Sequence, residues 1–569
     1  MRTVEVVGRG PAVDALTPFL ADIDVTVSQP STPTDAGGDL AVVVDTVGSE
    51  TFATWNERAR TTETPWVAVE LGGVGGVPVT DAAVSGFGPE TGCFDCLRTR
   101  VEATVDDTEG LTTAPATATQ RFAGGLAGRL VTQFLDGDAA LLGTVTELPH
   151  TQRRFLPVPG CDCGKTPSRS LADGRQTAPD SEALSRAELG LDDRVGIATE
   201  VGEVESFPAP YYLSTLADTA GFSDVSAAAK AAGVAVDWDT AFMKALGENY
   251  ERYAAGVYRE ASLQGGTVQS VSDAVAPATF VRDETEWDES TALPWVPATN
   301  LLTDERRSLP AETVHYPPPS NVVRPATTTG LGLGNTVTEA LLTGLYEVIE
   351  RDAAMLAWYS TFEPLRVAVE DHAQYDTLRR RATSEGLKVT ALLLTQDVDV
   401  PVITVALERD EWPRFALGTD AGLDPGAAAV GALEEALQNW MELDSMGPEA
   451  AMDAQGAIGR YAQSPGEAAD LTAAETAVPL DSLGPETDRS GEAELEALCD
   501  RAADAGLTPY GARLTTRDLE QLGFEAVRVV CPSAQPLFFG EAFFGERAET
   551  VPADLGFEPR LDRDHHPFP

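Results

Sequence analysis

The sequence predicts two folding units in series: an α/β domain on a parallel sheet, residues 1–165, and an α+β domain, residues 195–569. Three observations carry this. A chain of 569 residues is longer than one compact core usually organises. Its opening segment alternates strand and helix patterns, as a parallel sheet with crossover helices requires. Finally, "GKTPSRSLADGRQTAPDSEALS", Gly164 to Ser185, is polar with scattered Pro and Gly, and reads as a linker over residues 166–194.

In order, "RTVEVVGRGPAVDALTPFLADIDVTVS" reads strand, glycine turn, amphipathic helix, strand. "DLAVVVDTV" and "TPWVAVEL" add two apolar strands with a helical "ETFATWNERAR" between them. Past Val195 the pattern changes. "YDTLRRRATSEGLKVTALLLTQDVDVPVITVALE" and "AELEALCDRAADAGLTPYGARLTTRDLEQLGFEAVRVVCP" both run helix, Gly, strand, connection, strand, which suggests a duplicated module. Between them, Met446 to Glu492 is rich in Ala, Gly, Pro and acid, and reads as surface helices and loops.

Composition narrows the function. The chain carries 90 acidic against 40 basic residues, a formal net charge of −50, and its lysines are Lys165, Lys230, Lys244 and Lys388. Charge of this size spread over a whole chain keeps a protein soluble in high salt, where the screening length falls to about 3 Å near 1 M. A halophilic, cytoplasmic protein is expected. Nucleic acid is not expected as a partner, since no basic patch is present to displace counterions from phosphates. No run approaches the roughly 18 apolar residues that span a bilayer, and "MRTVEVVGRG" has a strand pattern rather than that of a secretory leader.

The sharpest local signal is a pair of cysteine pairs, Cys93 and Cys96 in "CFDC" and Cys161 and Cys163 in "CDC". Two close pairs far apart in sequence can converge on one tetrahedral ion, and four thiolates suit a closed structural zinc site; the other reading is two pairs of buried free thiols. Cys499 and Cys531 lie in apolar helix and strand patterns and read as core. "VGRGPA", Val7 to Ala12, has the front of a dinucleotide-binding turn without its third glycine, and reads as a tight strand-to-helix turn.

Charged helix faces form the second signal. On a helix turning about 100° per residue, Asn335, Glu339, Glu347, Glu350 and Arg351 share one face, and Leu341, Leu342, Leu345, Val348 and Ile349 fill the opposite, core side. Lys244, Glu248, Glu251 and Arg252 share a face of an earlier helix, and "AAAVGALEEALQNW" offers Glu435 and Gln438 one turn apart. Spacing alone leaves two readings open. These are wet faces of acidic helices, with Thr336 and Glu339 forming a capping box, or walls of one site in which carboxylates hold magnesium and a nucleotide.

"NTVTEALLTGLYEVIERDAAMLAWY", "KALGENYERYA" and "EALQ" closely resemble the three nucleotide-binding helices of the YcaO superfamily, over roughly Val195 to Pro569. "GCFDCLRTR" and "GCDCG" resemble the zinc-bearing, ubiquitin-activating-enzyme-like domain of azole-forming cyclodehydratases. The resemblance implies ATP, Mg2+ and structural Zn2+ as cofactors. By motif position Glu248, Glu251, Glu339, Glu347, Glu350 and Glu435 would hold magnesium, with Asn335 and Gln438 as polar contacts and Arg351 toward phosphate. It implies ATP-dependent conversion of Cys, Ser or Thr of a ribosomally synthesised peptide to azolines, as in bacteriocin biosynthesis, with the N-terminal domain a zinc-stabilised scaffold. Thioamide formation, or a non-enzymatic accessory role in ribosomal-protein modification, are the alternatives. Azole-forming members end in Pro-x-Pro-x-Pro near the nucleotide. This chain ends His565-His566-Pro567-Phe568-Pro569, so the Pro569 carboxylate is expected at the site as base or positioning group, against the alternative of a solvated tail. There are departures from the family pattern: Lys244 stands where some members have serine, and their upstream phosphate-binding lysine has no counterpart near "LDDRVGIAT". A winged-helix leader-binding domain is not seen either, so a separate leader-peptide-binding protein is expected beside the precursor peptide; a homodimer is a further expectation.

Overall fold

The computed structural model describes residues 2–30, 37–105, 115–177, 182–282, 287–453, 456–484 and 489–569. The N-terminal domain contains β1 (Arg2–Val7), α1 (Pro11–Ala21), β2 (Val25–Ser28), β3 (Leu40–Thr46), α2 (Glu50–Thr62), β4 (Trp66–Leu71), β5 (Ala82–Phe87), α3 (Phe94–Glu102), α4 (Thr117–Leu135), β6 (Thr144–Glu147) and β7 (Thr151–Arg154). These strands form one sheet, ordered β2-β1-β3-β4-β5-β6-β7. The four strands legible in the sequence are its parallel half. The other three extend it antiparallel. They escaped the sequence reading because β5, "AAVSGF", is buried at every position and shows no alternation, while β6 and β7 have four residues each.

Gly8 explains the "VGRGPA" turn. It sits at φ +115°, and a Cβ there would fall 2.3 Å from the Val44 carbonyl oxygen. Its glycine is required by the approach of β1 to β3, a need internal to the sheet.

The second domain is α+β, with sheets of three, six and five strands. Each carries one long helix: α6 (Trp238–Gly256) on the three-stranded sheet, α7 (Val337–Trp358) on the six-stranded one and α9 (Pro425–Ala451) on the five-stranded one. All three are started by a side-chain cap. The Asp237 carboxylate accepts from Thr240 N–H, the Thr336 hydroxyl from Glu339 N–H and the Asp424 carboxylate from Gly426 N–H. Leu341, Leu342, Leu345, Val348 and Ile349 of α7 are buried, as their azimuth requires, and this turns the opposite face toward α6 and α9. Both copies of the suggested repeat fold as helix, strand, connection and antiparallel strand, but they lie in different sheets. Cys499 and Cys531 are buried free thiols. Met446 to Glu492 contains short helices and a short strand, as well as residues 454–455 and 485–488, which lie outside the described residues.

The segment 166–194, read as a linker, is anchored to the second domain at several points, although about half of its described residues are exposed. Leu171 enters the main core, Arg175 N–H donates to Glu525 while its carbonyl accepts from Val337 N–H, and the Ala187 carbonyl, in the short helix α5 (Ala183–Glu188), accepts from Tyr250 Oη at 2.6 Å. Its polar residues divide between hydrogen bonds to the second domain and solvent. Where α3 meets that domain, Arg100 forms an ion pair with Asp518, both inaccessible to solvent, and Tyr253 Oη donates to the same carboxylate at 2.5 Å.

Candidate functional site

The polar faces of α6, α7 and α9 meet at an open cavity of about 750 Å³, lined among others by Glu248, Glu251, Asn335, Glu339, Glu435 and Gln438. Glu347, Glu350 and Arg351 do not line it. They adjoin it through Arg351, whose guanidinium lies 4.0 Å from Glu347, 3.3 Å from Glu350 and 3.4 Å from Glu435. Every helix residue assigned from the sequence therefore belongs to one connected cluster.

Backbone amides fix several of these carboxylates. Glu248 Oε2 accepts from Ala232 N–H at 2.7 Å, Glu347 Oε2 from Gly330 N–H at 2.8 Å, Glu339 Oε2 from Asn335 N–H at 2.8 Å and Glu435 Oε2 from Thr419 N–H at 2.5 Å. The capping reading of Thr336 and Glu339 is thus partly realised, and it orients Glu339 at the cavity. Arg252 neutralises part of Glu248, and Gln438 donates to Glu442 at 3.1 Å.

Burial holds the Glu248 and Glu347 carboxyls above their ordinary range. Burial, then repulsion from Glu347 and Glu248, pushes Glu251 up to about 8. Glu350, only 5% exposed, is raised furthest, by burial, and its Oε1 has no hydrogen-bond partner. Acids crowded beyond the cations that pair them form a donor set that divalent cations suit.

Sequence reasoning missed four contributors. Asp420, in a strand, is pushed up to about 7 by burial, with Lys244 opposing the shift. Buried Glu434 accepts from Lys244 Nζ at 2.5 Å and from Val236 N–H at 3.0 Å. Glu442 also accepts from Tyr211 Oη at 3.1 Å. Arg186, from the anchored segment, donates to Asn335 Oδ1 and to the Gly523 carbonyl. A lone Asp in an apolar strand and a Glu-Glu pair were the available signals.

Pro569 reaches this cluster. Arg351 Nη1 donates to an oxygen of Pro569 at 3.0 Å. The tail is not solvated: His566 is 1% and Phe568 2% exposed, Tyr461 Oη donates to the His565 carbonyl at 2.7 Å, and Trp358 Nε1 to that of Asp564 at 2.8 Å.

A separate centre brings Cys93, Cys96, Cys161 and Cys163 together, with Sγ–Sγ distances of 3.9 Å (Cys93–Cys96), 3.7 Å (Cys93–Cys161) and 3.5 Å (Cys96–Cys163). Zinc–sulfur bonds of about 2.3 Å set tetrahedrally place sulfurs about 3.8 Å apart. The donor set therefore fits one zinc ion with no position left for water. Contact with Cys161 and the other thiols holds Cys163 far below the ordinary thiol range, aided by Arg517 Nη1 at 3.1 Å.

The model of the YcaO cyclodehydratase family, ATP- and Mg2+-binding, matches residues 232–535, more than half of the chain. The chain belongs to the YcaO family. Over 167 residues it is 34% identical to an uncharacterized protein of Methanothermobacter thermautotrophicus, covering 27% of this chain and 42% of that one. Over 123 residues it is 32% identical to an uncharacterized protein in the tfuA 3′ region of Rhizobium leguminosarum bv. trifolii, covering 19% and 29%. The chain thus spans less than half the length of these curated relatives. Two solved structures share its fold at 20% identity. One is a heterocyclase in complex with substrate and cofactor, at TM-score 0.70, covering 100% of this chain and 85% of that one. The other is the heterocyclase TruD, at TM-score 0.65, covering 98% and 82%. In this YcaO chain, as far as the described residues go, no helix is long and apolar enough to cross a membrane.

Proposed function

We propose that this YcaO protein is an ATP-dependent cyclodehydratase that converts Cys, Ser or Thr of a ribosomal precursor peptide to azolines. The observation that carries the reading is the Pro569 oxygen on Arg351, inside the carboxylate cluster. ATP would supply the phosphoryl group that makes the peptide amide oxygen a leaving group, and magnesium would offset charge on the transferring group.

Glu248, Glu251, Glu339, Glu347, Glu350 and Glu435 would hold the metal, with Asn335 and Gln438 at the nucleotide. Arg351, pinned by Glu350 and Glu435, presents a fixed positive charge to the phosphoryl oxygens, a contribution that needs no reorganisation during reaction. A carboxylate at Pro569 would take the proton of the attacking side chain, held for that role by the buried Phe568 anchor. Cys93, Cys96, Cys161 and Cys163 would bind structural zinc in the scaffold, and a separate leader-binding protein would deliver the precursor.

The test is mass spectrometry of a Cys/Ser/Thr-containing precursor with ATP. Each ring formed removes one water, whereas thioamide formation exchanges oxygen for sulfur and needs an external donor. Deleting Pro567–Pro569 should abolish water loss while nucleotide and zinc binding remain. Appending one residue after Pro569, which moves the carboxylate but keeps Phe568, should do the same. Normal water loss by both variants would refute the role of the tail.

A further inference from the structure

Beyond the nucleotide site, a cavity of about 270 Å³ lies between the cysteine centre and the second domain, and it reverses the charge character of the chain. Its wall contains Lys165, Arg169, Arg259 and Arg517 and no carboxylate, in a protein with 90 acidic and 40 basic residues. Two of these cations are engaged: Arg259 by Asp224 at 2.7 Å and Arg517 by Cys163 Sγ at 3.1 Å. The other two are not. Among the described residues neither Lys165 nor Arg169 has a carboxylate within ion-pair distance, and Arg169 Nη1 donates only to the Arg513 carbonyl, at 3.1 Å. Burial, then the neighbouring Arg513 charge, lowers the pKa of Arg169, as expected of a partly desolvated cation without a counter-ion.

Buried Phe222, Val257 and Tyr258 give the wall an apolar surface, beside the hydroxyls of Thr166, Ser262, Thr515 and Thr516. A bare inorganic anion would leave that surface uncovered. Val257 and Tyr258 directly follow α6, the helix that carries Glu251 at the nucleotide cavity six residues earlier. Six helical residues rise about 9 Å, the reach of about three residues of extended chain.

We infer that this pocket binds an acidic segment of the peptide substrate, seating a carboxylate on Lys165 and Arg169 and an apolar neighbour on Phe222 and Tyr258, a few residues from the amide being modified. The inference rests on the reading of the substrate as a peptide.

The test uses the full, zinc-loaded chain at the lowest salt at which it stays folded. Fluorescence anisotropy is measured with a short labelled peptide alternating glutamate and leucine, with its glutamine counterpart, and with citrate and inorganic phosphate as competitors. The glutamate peptide should bind, and its glutamine counterpart should bind at least tenfold more weakly. The double variant Lys165→Gln/Arg169→Gln should lose at least tenfold for the glutamate peptide, while Arg129→Gln, on an exposed position of α4, changes nothing. Zinc content and nucleotide affinity should stay constant in both variants. Equal binding of the two peptides, normal binding by the double variant, or displacement by citrate or phosphate at concentrations equal to the peptide's would overturn the inference. Loss of zinc in the double variant would also overturn it, by assigning these cations to the thiolates. A wild-type protein that holds the glutamate peptide through Lys165 and Arg169 but modifies no peptide with ATP would refute the proposed function and leave the pocket standing.

Discussion

Magnesium binding should compete with protons, and Glu251 sets a lower limit on the effect, because Glu350 is held higher still. Glu248 and Arg252 face it from its own helix, Glu347 from α7 and Arg528 from the strand Glu525–Val530, and burial with the two glutamates outweighs the arginines, so the carboxyl of the empty site reaches about 8. A ligand carboxylate must be ionised to hold the metal. Its ionised fraction is about one half at pH 8 and about one thirtieth at pH 6.5, so apparent magnesium affinity should fall about fifteenfold between them, and further if Asp420, near 7, must also ionise. The sign for stability follows. A folded-state pKa raised from 4.5 to about 8 gives a contribution fully present below the unfolded value and lost as pH rises through 8, so the metal-free protein should weaken over that window and regain stability with magnesium nucleotide. Isothermal titration in two buffers of different ionisation enthalpy counts the protons released. Glu251→Gln should flatten the pH dependence. Equal affinity at both pH values with no proton release would refute the argument.

Three further outcomes are expected. Cys161→Ser should lose the zinc and lower the melting temperature, because each thiolate fills one corner of a closed tetrahedron; metal analysis of the purified variant checks this. Glu339→Gln, Glu347→Gln and Glu350→Gln should each depress ATP turnover about a hundredfold through loss of several kcal/mol of charge stabilisation, whereas Glu449→Gln, on an exposed position, should have no effect. Asp518→Asn strands the Arg100 charge between the domains and should cost about 3–5 kcal/mol, while the double change Arg100→Met/Asp518→Leu should recover most of it; denaturant midpoints decide.

The glutamates, Arg351 and Gln438 that the sequence places in the cluster share one property: each belongs to a helix whose own periodicity places it, whereas Asn335 precedes the cap of α7. Glu339, Glu347, Glu350 and Arg351 could be put on one face of α7 because the leucine stripe fixed the other face, and Glu248 and Glu251 followed from the same arithmetic on α6. Cys93, Cys96, Cys161 and Cys163 were legible for a different reason, since a thiol pair has few other uses in a chain of six cysteines. The residues missed join the cluster across element boundaries. Asp420 comes from a strand whose other residues give no sign of a cavity. Arg186 sits in a polar segment where solvent and the Asn335 amide are indistinguishable partners by composition alone. Glu434 is the instructive case. One residue from Glu435 and about 100° around α9, it projects toward Lys244 and Val236 N–H of the neighbouring helix and its approach. Helix period could place it only beside the site, and its membership depends on how closely α6 crosses α9. That crossing is set by the packing of both helices on separate sheets. Periodicity therefore assigns the walls of such a site one helix at a time, and the charge balance, which needs Asp420, Glu434 and Lys244 together, becomes available only when the three sheets are assembled.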